Sequence, residues 1–136
     1  MANTFQLEIV TPEKVAVRDS AEEMQIPGTN GYLGILPGHA PLITELAVGE
    51  ITYRNGSTVH HLAVAWGFAE VLPDKVTILA ETAERAEEID LKRAQLAKQR
   101  AEEEFKTGAS EQDVTRAEDD LKRAEVRLQV AQSKNT

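Results

Sequence analysis

An all-β sandwich or flattened barrel followed by an α-helical hairpin is the fold class this sequence predicts, and three observations predict it. Residues 1–84 hold all five prolines, seven of the eight glycines and five of the six aromatic residues. In that half, apolar residues recur with a period of two in short runs, the spacing that gathers them on one face of a strand. Residues 85–136 have no proline and one glycine, and there apolar residues recur at intervals of three and four in a charged, alanine-rich background. The division sets a β domain at 1–84 and a two-helix antiparallel hairpin at 85–136.

The strands follow in order. Phe5, Leu7 and Ile9 alternate with Gln6, Glu8 and Val10, and Pro12 ends the run. Val15 and Val17 flank Ala16 in a second strand. Met24 and Ile26 share a face of a third, from Glu22 to Pro27. Gly28 and Gly31 bracket a tight turn at Thr29-Asn30, and Tyr32–Leu36 is the fourth strand. Leu42–Thr44 is a fifth. Ile51–Tyr53 and Thr58–Leu62 flank Asn55-Gly56, which predicts a hairpin with a type I′ turn because both residues tolerate positive φ. Phe68–Leu72 and Val76–Ala80 flank Pro73-Asp74-Lys75, a second hairpin. Gly67, between Trp66 and Phe68, marks a bulge or a close contact between strands. Eight to ten short strands separated by turn signals predict one sandwich.

The first helix covers Ile89–Ala101 and beyond, with Leu91, Ala94, Ala101 and Phe105 on one stripe. Thr107-Gly108-Ala109-Ser110 interrupts it. Gly108 suits a helix C-terminus, and Ser110 with Asp113 three residues on predicts an N-cap. Val114, Ala117, Leu121, Ala124, Leu128 and Ala131 form the seam of the second helix, with Glu118–Lys122 and Asp119–Arg123 spaced as i,i+4 pairs. Alanine dominates both stripes and buries little area, so the hairpin is expected to be weakly held and able to pack elsewhere.

Composition excludes several functions. A net charge of −8 argues against nucleic acid as a partner. Residues 1–84 carry four basic and eleven acidic side chains, whereas 85–136 carry eleven and twelve, so the acidity belongs to the β half. There is no cysteine, which removes disulfides and thiolate metal sites. The N-terminal residues show no basic stretch followed by an apolar run, and no segment is long and apolar enough to span a membrane. His60 and His61 are adjacent in a strand and point to opposite faces, and His39 has no nearby partner, so no metal site is expected. Neither a nucleophile elbow nor a phosphate loop is present.

Two constellations remain. The segment Gly34-Ile35-Leu36-Pro37-Gly38-His39-Ala40-Pro41-Leu42-Ile43-Thr44 presents apolar residues on a proline-stiffened loop, which costs little entropy to offer to a partner. Arg93 and Arg100 share a helix face, as do Arg123 and Arg127 on the second helix. An antiparallel hairpin brings these guanidinium groups together, a set suited to phosphate oxygens, although spacing alone favours a merely solvated charged face.

The Gly31-x-Leu33-Gly34-Ile35 run, the Pro37-Gly38-His39-Ala40-Pro41-Leu42 run and the Gly67-Phe68-Ala69 run, in this order, resemble the epsilon subunit of F-type ATP synthases across almost the whole chain. The resemblance implies a non-catalytic rotor subunit that couples a c-subunit ring to gamma and inhibits ATP hydrolysis through its helices. It implies gamma and c-ring contact at Tyr32, His39, Ala40, Pro41 and Leu42, and contact with the alpha/beta catalytic head when the hairpin extends. Ile89-Asp90-Leu91-Lys92-Arg93-Ala94 is similar to the I/L-D-x-x-R-A pattern associated with ATP binding in some bacterial members. That similarity implies a regulatory ATP, with or without magnesium, at Asp90, Arg93, Arg100, Arg123 and Arg127, with Glu84 a further candidate and no obligatory cofactor. It further implies a peripheral position at the cytoplasmic side of a bacterial plasma membrane, or alternatively a thylakoid, reached only through partners. A free-standing nucleotide-responsive sensor or adaptor of the same layout is the alternative function.

Overall fold

The computed structural model describes residues 3–108 and 110–133. Eight strands come first: β1 Phe5–Val10, β2 Val15–Ala21, β3 Glu23–Gly28, β4 Gly31–Ile35, β5 Leu42–Leu46, β6 Gly49–Asn55, β7 Thr58–Val71 and β8 Lys75–Arg85. A 3-10 turn at Ala86–Glu88 leads to helices α1 Leu91–Thr107 and α2 Glu111–Ser133. Of the interhelical residues, Ala109 lies outside the described residues.

The strands form one hydrogen-bonded sheet in the order β2-β1-β8-β7-β5-β3-β4, with β6 bridging β3 and β7. β1 runs parallel to β8, from Gln6↔Lys75 to Val10↔Leu79, and every other pairing is antiparallel. The sheet folds over itself around one core, in which Phe5, Leu7, Ile9, Ile26, Ile35, Leu46, Ile51 and Tyr53 are almost wholly buried. The period-two faces of β1 and β3 expected from sequence are the faces that enter this core.

Three expectations need correction. The strands placed at Thr58–Leu62 and Phe68–Leu72 are the two ends of a single fourteen-residue strand. Alternation fails between them because β7 is covered on both sides: Leu62 and Val64 face the sandwich core, while Ala63 faces the helices. Secondly, the β6–β7 hairpin closes on the pair Asn55↔Thr58, so Gly56 and Ser57 are the central residues. Gly56 has φ +64° and Ser57 is not in the positive region, the pattern of a type II′ turn and not of type I′. Thirdly, Leu91 and Phe105 of the predicted α1 stripe are 43% and 44% exposed, and only the alanines of that stripe are buried.

Gly67 answers the bulge-or-contact question. Register with β8 is unbroken from Ala65↔Thr82 to Gly67↔Ala80, and a Cβ at Gly67 would overlap the carbonyl oxygen of Leu79. It is a close contact between strands. The core-facing side nevertheless inverts here. Leu62 and Val64 point inward before it, Ala69 and Val71 after it, and β8 answers with Ala83 on one side and Ala80, Ile78 and Val76 on the other. Where the side inverts, β7 changes partner, from β6 up to Val64 to β5 from Gly67 onward.

The hairpin lies against this strand. Ala94, Ala101, Ala117 and Ala124 are buried between α1 and α2, the expected seam. A second, smaller cluster of Ala63, Ala86, Ile89, Ala94, Val130 and Ala131 joins the helices to the sandwich. Val130 belongs to this second cluster and was absent from the sequence-derived seam because it falls off the three-and-four spacing of Ala124, Leu128 and Ala131. Ser110 caps α2 as expected, its Oγ accepting from Asp113 N at 3.1 Å.

Candidate functional site

The helices and the end of β8 enclose a cleft of about 380 Å³ lined by Glu84, Arg93, Ala97, Arg100, Ala101, Glu104, Asp120, Arg123, Ala124 and Arg127. Arg93 and Arg100 reach it from α1 and Arg123 and Arg127 from α2, as the seven- and four-residue spacings require for an antiparallel pair. Small Ala97, Ala101 and Ala124 form its floor and let the helix backbones approach. Glu84, half-buried, closes one end. Its carboxylate lies 2.8 Å from Arg127 Nε and accepts from Nη2 at 3.2 Å; the Nε contact lacks hydrogen-bond geometry. Four guanidinium charges against the three carboxylates of Glu84, Glu104 and Asp120 leave the cleft at +1, in a chain whose net charge is −8.

Asp90 does not line this cleft. It is the N-cap of α1, its Oδ1 accepting from Arg93 N at 3.1 Å, so it holds the helix turn from which Arg93 projects. Arg123 does not close on Asp119; its guanidinium lies over the Trp66 ring, 5.4 Å from the centroid. Glu104 and Asp120 were missed from sequence. Their signal was present, since Glu104 is one turn beyond Arg100 and Asp120 one turn before Arg123, but charged helices offer many such pairs.

A further anchor was also missed. Glu50 Oε2 is 2.8 Å from His61 Nδ1 and its Oε1 accepts from Gln129 Nε2 at 3.1 Å, so one carboxylate ties β6 and β7 to α2. His61 is thereby committed to the hairpin side of β7. His60 stacks on Tyr53 with centroids 4.6 Å apart. Among the described residues, no group of three His, Asp or Glu side chains converges for a metal.

The residues singled out for partner contact fall into two places. Tyr32 is 57% exposed beside the β3–β4 turn, opposite Pro27, and its hydroxyl accepts from Glu50 N at 3.0 Å. His39–Leu42 lie at the far end of β4 and the near end of β5. There Gly38 N donates to Pro73 O at 2.8 Å and His39 Nδ1 is 2.7 Å from Ala40 O. The loop is thus pinned to the β7–β8 turn, a strand's length away from Tyr32. Phe68, Leu79 and Ile43 are exposed on the outer face of β5, β7 and β8 between the two ends.

Comparison with known proteins gives the layout a family. A family model described as ATP synthase, Delta/Epsilon chain, beta-sandwich domain matches residues 4–86, and its companion, the long alpha-helix domain, matches 87–132. The chain belongs to the ATP synthase epsilon chains. The ATP synthase epsilon chain of Koribacter versatilis is 68% identical over 111 residues, covering 82% of this chain and 78% of that one. That of Solibacter usitatus is 46% identical over 134 residues, covering 98% and 100%. A chain of the Euglena gracilis mitochondrial ATP synthase OSCP/F1/c-ring assembly superposes with a TM-score of 0.83 at 22% identity, over 97% of this chain and 83% of that one. At that identity the likeness speaks for the fold. An epsilon chain is a non-catalytic stalk subunit of the synthase.

Proposed function

We propose that this chain works as a central-stalk rotor subunit of a proton-translocating ATP synthase, joining the c-subunit ring to gamma through its β domain and regulating ATP hydrolysis through its hairpin. The observation that carries the regulatory half is the way the hairpin is held. It docks on β7 through a small cluster of mostly alanine side chains, and both helices contribute arginines to one cleft. A packing so thin is one of two accessible states, and a ligand shifts the balance by its differential affinity for them.

The docked state seen here hides the seam of the helices. An extended state would free the arginines and the half-exposed Leu91 and Phe105 for the alpha/beta catalytic head. A regulatory ATP, with or without magnesium, fits the cleft's chemistry: Arg93, Arg100, Arg123 and Arg127 offer forked donors for phosphate oxygens. Asp90 serves by fixing the first turn of α1. Tyr32 at one end of the β domain, and His39, Ala40, Pro41 and Leu42 at the other, are the proposed contacts with gamma and the c ring. Membrane association, at a bacterial plasma membrane or alternatively a thylakoid, would come through these partners, since none of the described helices is long and apolar enough to cross a bilayer.

Titration of the protein with MgATP, followed by amide shifts, tests the nucleotide reading. Saturable shifts at Arg93, Arg100, Arg123 and Arg127 support it, and a flat response at millimolar ATP removes it. Purification tests coupling. Recovery with gamma in a membrane-bound ATPase supports the rotor role, whereas a soluble monomer that binds nucleotide without such partners favours the free-standing sensor.

A further inference from the structure

Among the described residues, Trp66 is the one non-glycine with positive φ, at +49°. A bulky side chain in the left-handed region is strained, and the strain persists only where the surroundings impose it. Gly67 follows at φ +140° with no room for a side chain, so the chain cannot relax by passing the distortion to its neighbour. Trp66 and Glu81 are the residues left unpaired between Ala65↔Thr82 and Gly67↔Ala80, where the register is kept and the core-facing side inverts. The strand junction and the hairpin meet at this residue, because the guanidinium of Arg123 from α2 lies over the indole. Arg123 also lines the basic cleft and a narrow groove between α2 and β7.

We infer that Trp66 and Arg123 form a clasp that seats α2 on the β domain, the strained indole serving as a raised platform whose conformation is held by the docked hairpin. Docking and the geometry of the β7 junction are then one equilibrium. When α2 leaves, the cation–π contact is lost and Trp66 is free to relax, and the segment that passes β7 from β6 to β5 changes with it. The hairpin's position thereby becomes legible on the outer face of the sandwich, where Phe68 stands two residues away. Because Arg123 also lines the basic cleft, the coupling is read in the absence of nucleotide.

Amide exchange and tryptophan emission of the full-length chain test it, with Trp66 the sole tryptophan. Trp66→Gly fits the left-handed backbone and removes the ring. The expected result is faster exchange across α2, by about two- to thirtyfold, the range a cation–π contact supports, with β1, β3 and β8 no less protected than before. Arg123→Ala leaves the ring in place and is expected to speed α2 exchange by a similar factor, to shift the indole emission, and to loosen amides at 64–68. Arg123→Lys, which keeps a cation, restores part of the protection. The double variant is expected to be no worse than either single one. Unchanged α2 exchange in Trp66→Gly or Arg123→Ala, equal acceleration of helices and strands in Trp66→Gly, or additive effects in the double variant would each overturn the clasp.

Discussion

Tyr53 sits in the core of the β domain with its hydroxyl donating to Asp19 Oδ2 at 3.1 Å. Burial, then the Asp19 charge, pushes its phenol from 10.0 up to about 12. The folded state holds this proton more tightly than the unfolded state, so the contribution is complete below pH 10 and is lost as pH rises toward 12. Tyr53→Phe is therefore expected to lose less stability between pH 8 and pH 11 than the parent, measured as the shift in urea midpoint. Glu22 has the opposite sense. It accepts from Gly56 N at 2.7 Å and pairs with Arg54, and these two partners hold its carboxyl below the usual carboxylate range. Its contribution is present above the ordinary carboxylate value and is lost as pH falls through the lowered one, so Glu22→Gln is expected to weaken the protein at pH 7 and to approach the parent progressively in acid. Gly67→Ala meets both a forbidden φ and the Leu79 carbonyl. Its expected cost is at least about 2 kcal/mol, read from chemical denaturation.

The helices are elements whose local signals were complete in the sequence and whose packing was not. Asp90 and Ser110 cap them as such residues should. Gly108 ends α1, yet its backbone is extended at φ −56°, ψ 125°, and not left-handed; a Cβ there would stand 2.9 Å from Val114 Cγ2, so a larger residue must push that side chain aside. The alanine seam lets α1 and α2 approach closely but removes little apolar area from water, so Val130, wholly buried against the β domain, carries a large share of docking. Val130→Ala is expected to cost about 2 kcal/mol of docking, from two lost methyl groups and the space they leave. Exchange should rise across 117–131 and stay level in β1 and β8. A uniform rise would mean that the hairpin and the sandwich unfold together.

At the scale of the whole molecule the two parts are bound unequally. The β domain has one extensive core, whereas the hairpin is held by a small cluster, the Glu50–His61–Gln129 link, the Arg127–Glu84 pair and the Trp66–Arg123 contact. Unfolding is therefore expected to proceed in two steps, with α2 amides lost at lower denaturant than those of β1 and β8, a departure from two-state behaviour that residue-resolved amide signals would detect. Coincident loss of both would contradict the mobile hairpin on which the regulatory proposal rests.

By itself the sequence determined the local order of this protein: the faces of β1 and β3, the turns at Thr29-Asn30 and Pro73-Asp74, the helix caps and the alanine seam. Each depends on neighbours within a few residues, where spacing and backbone preference act directly. It also placed Arg93, Arg100, Arg123 and Arg127 on converging faces, because helical periodicity carries that far. Tertiary structure decided what depends on contact between distant segments. It joined two predicted strands into β7, because α2 covers the side that would otherwise have been polar. It separated Tyr32 from His39–Leu42, since the strand between them sets their distance. It also put Trp66 under Arg123, 57 positions away in the chain, through a backbone inversion that no side-chain pattern announces.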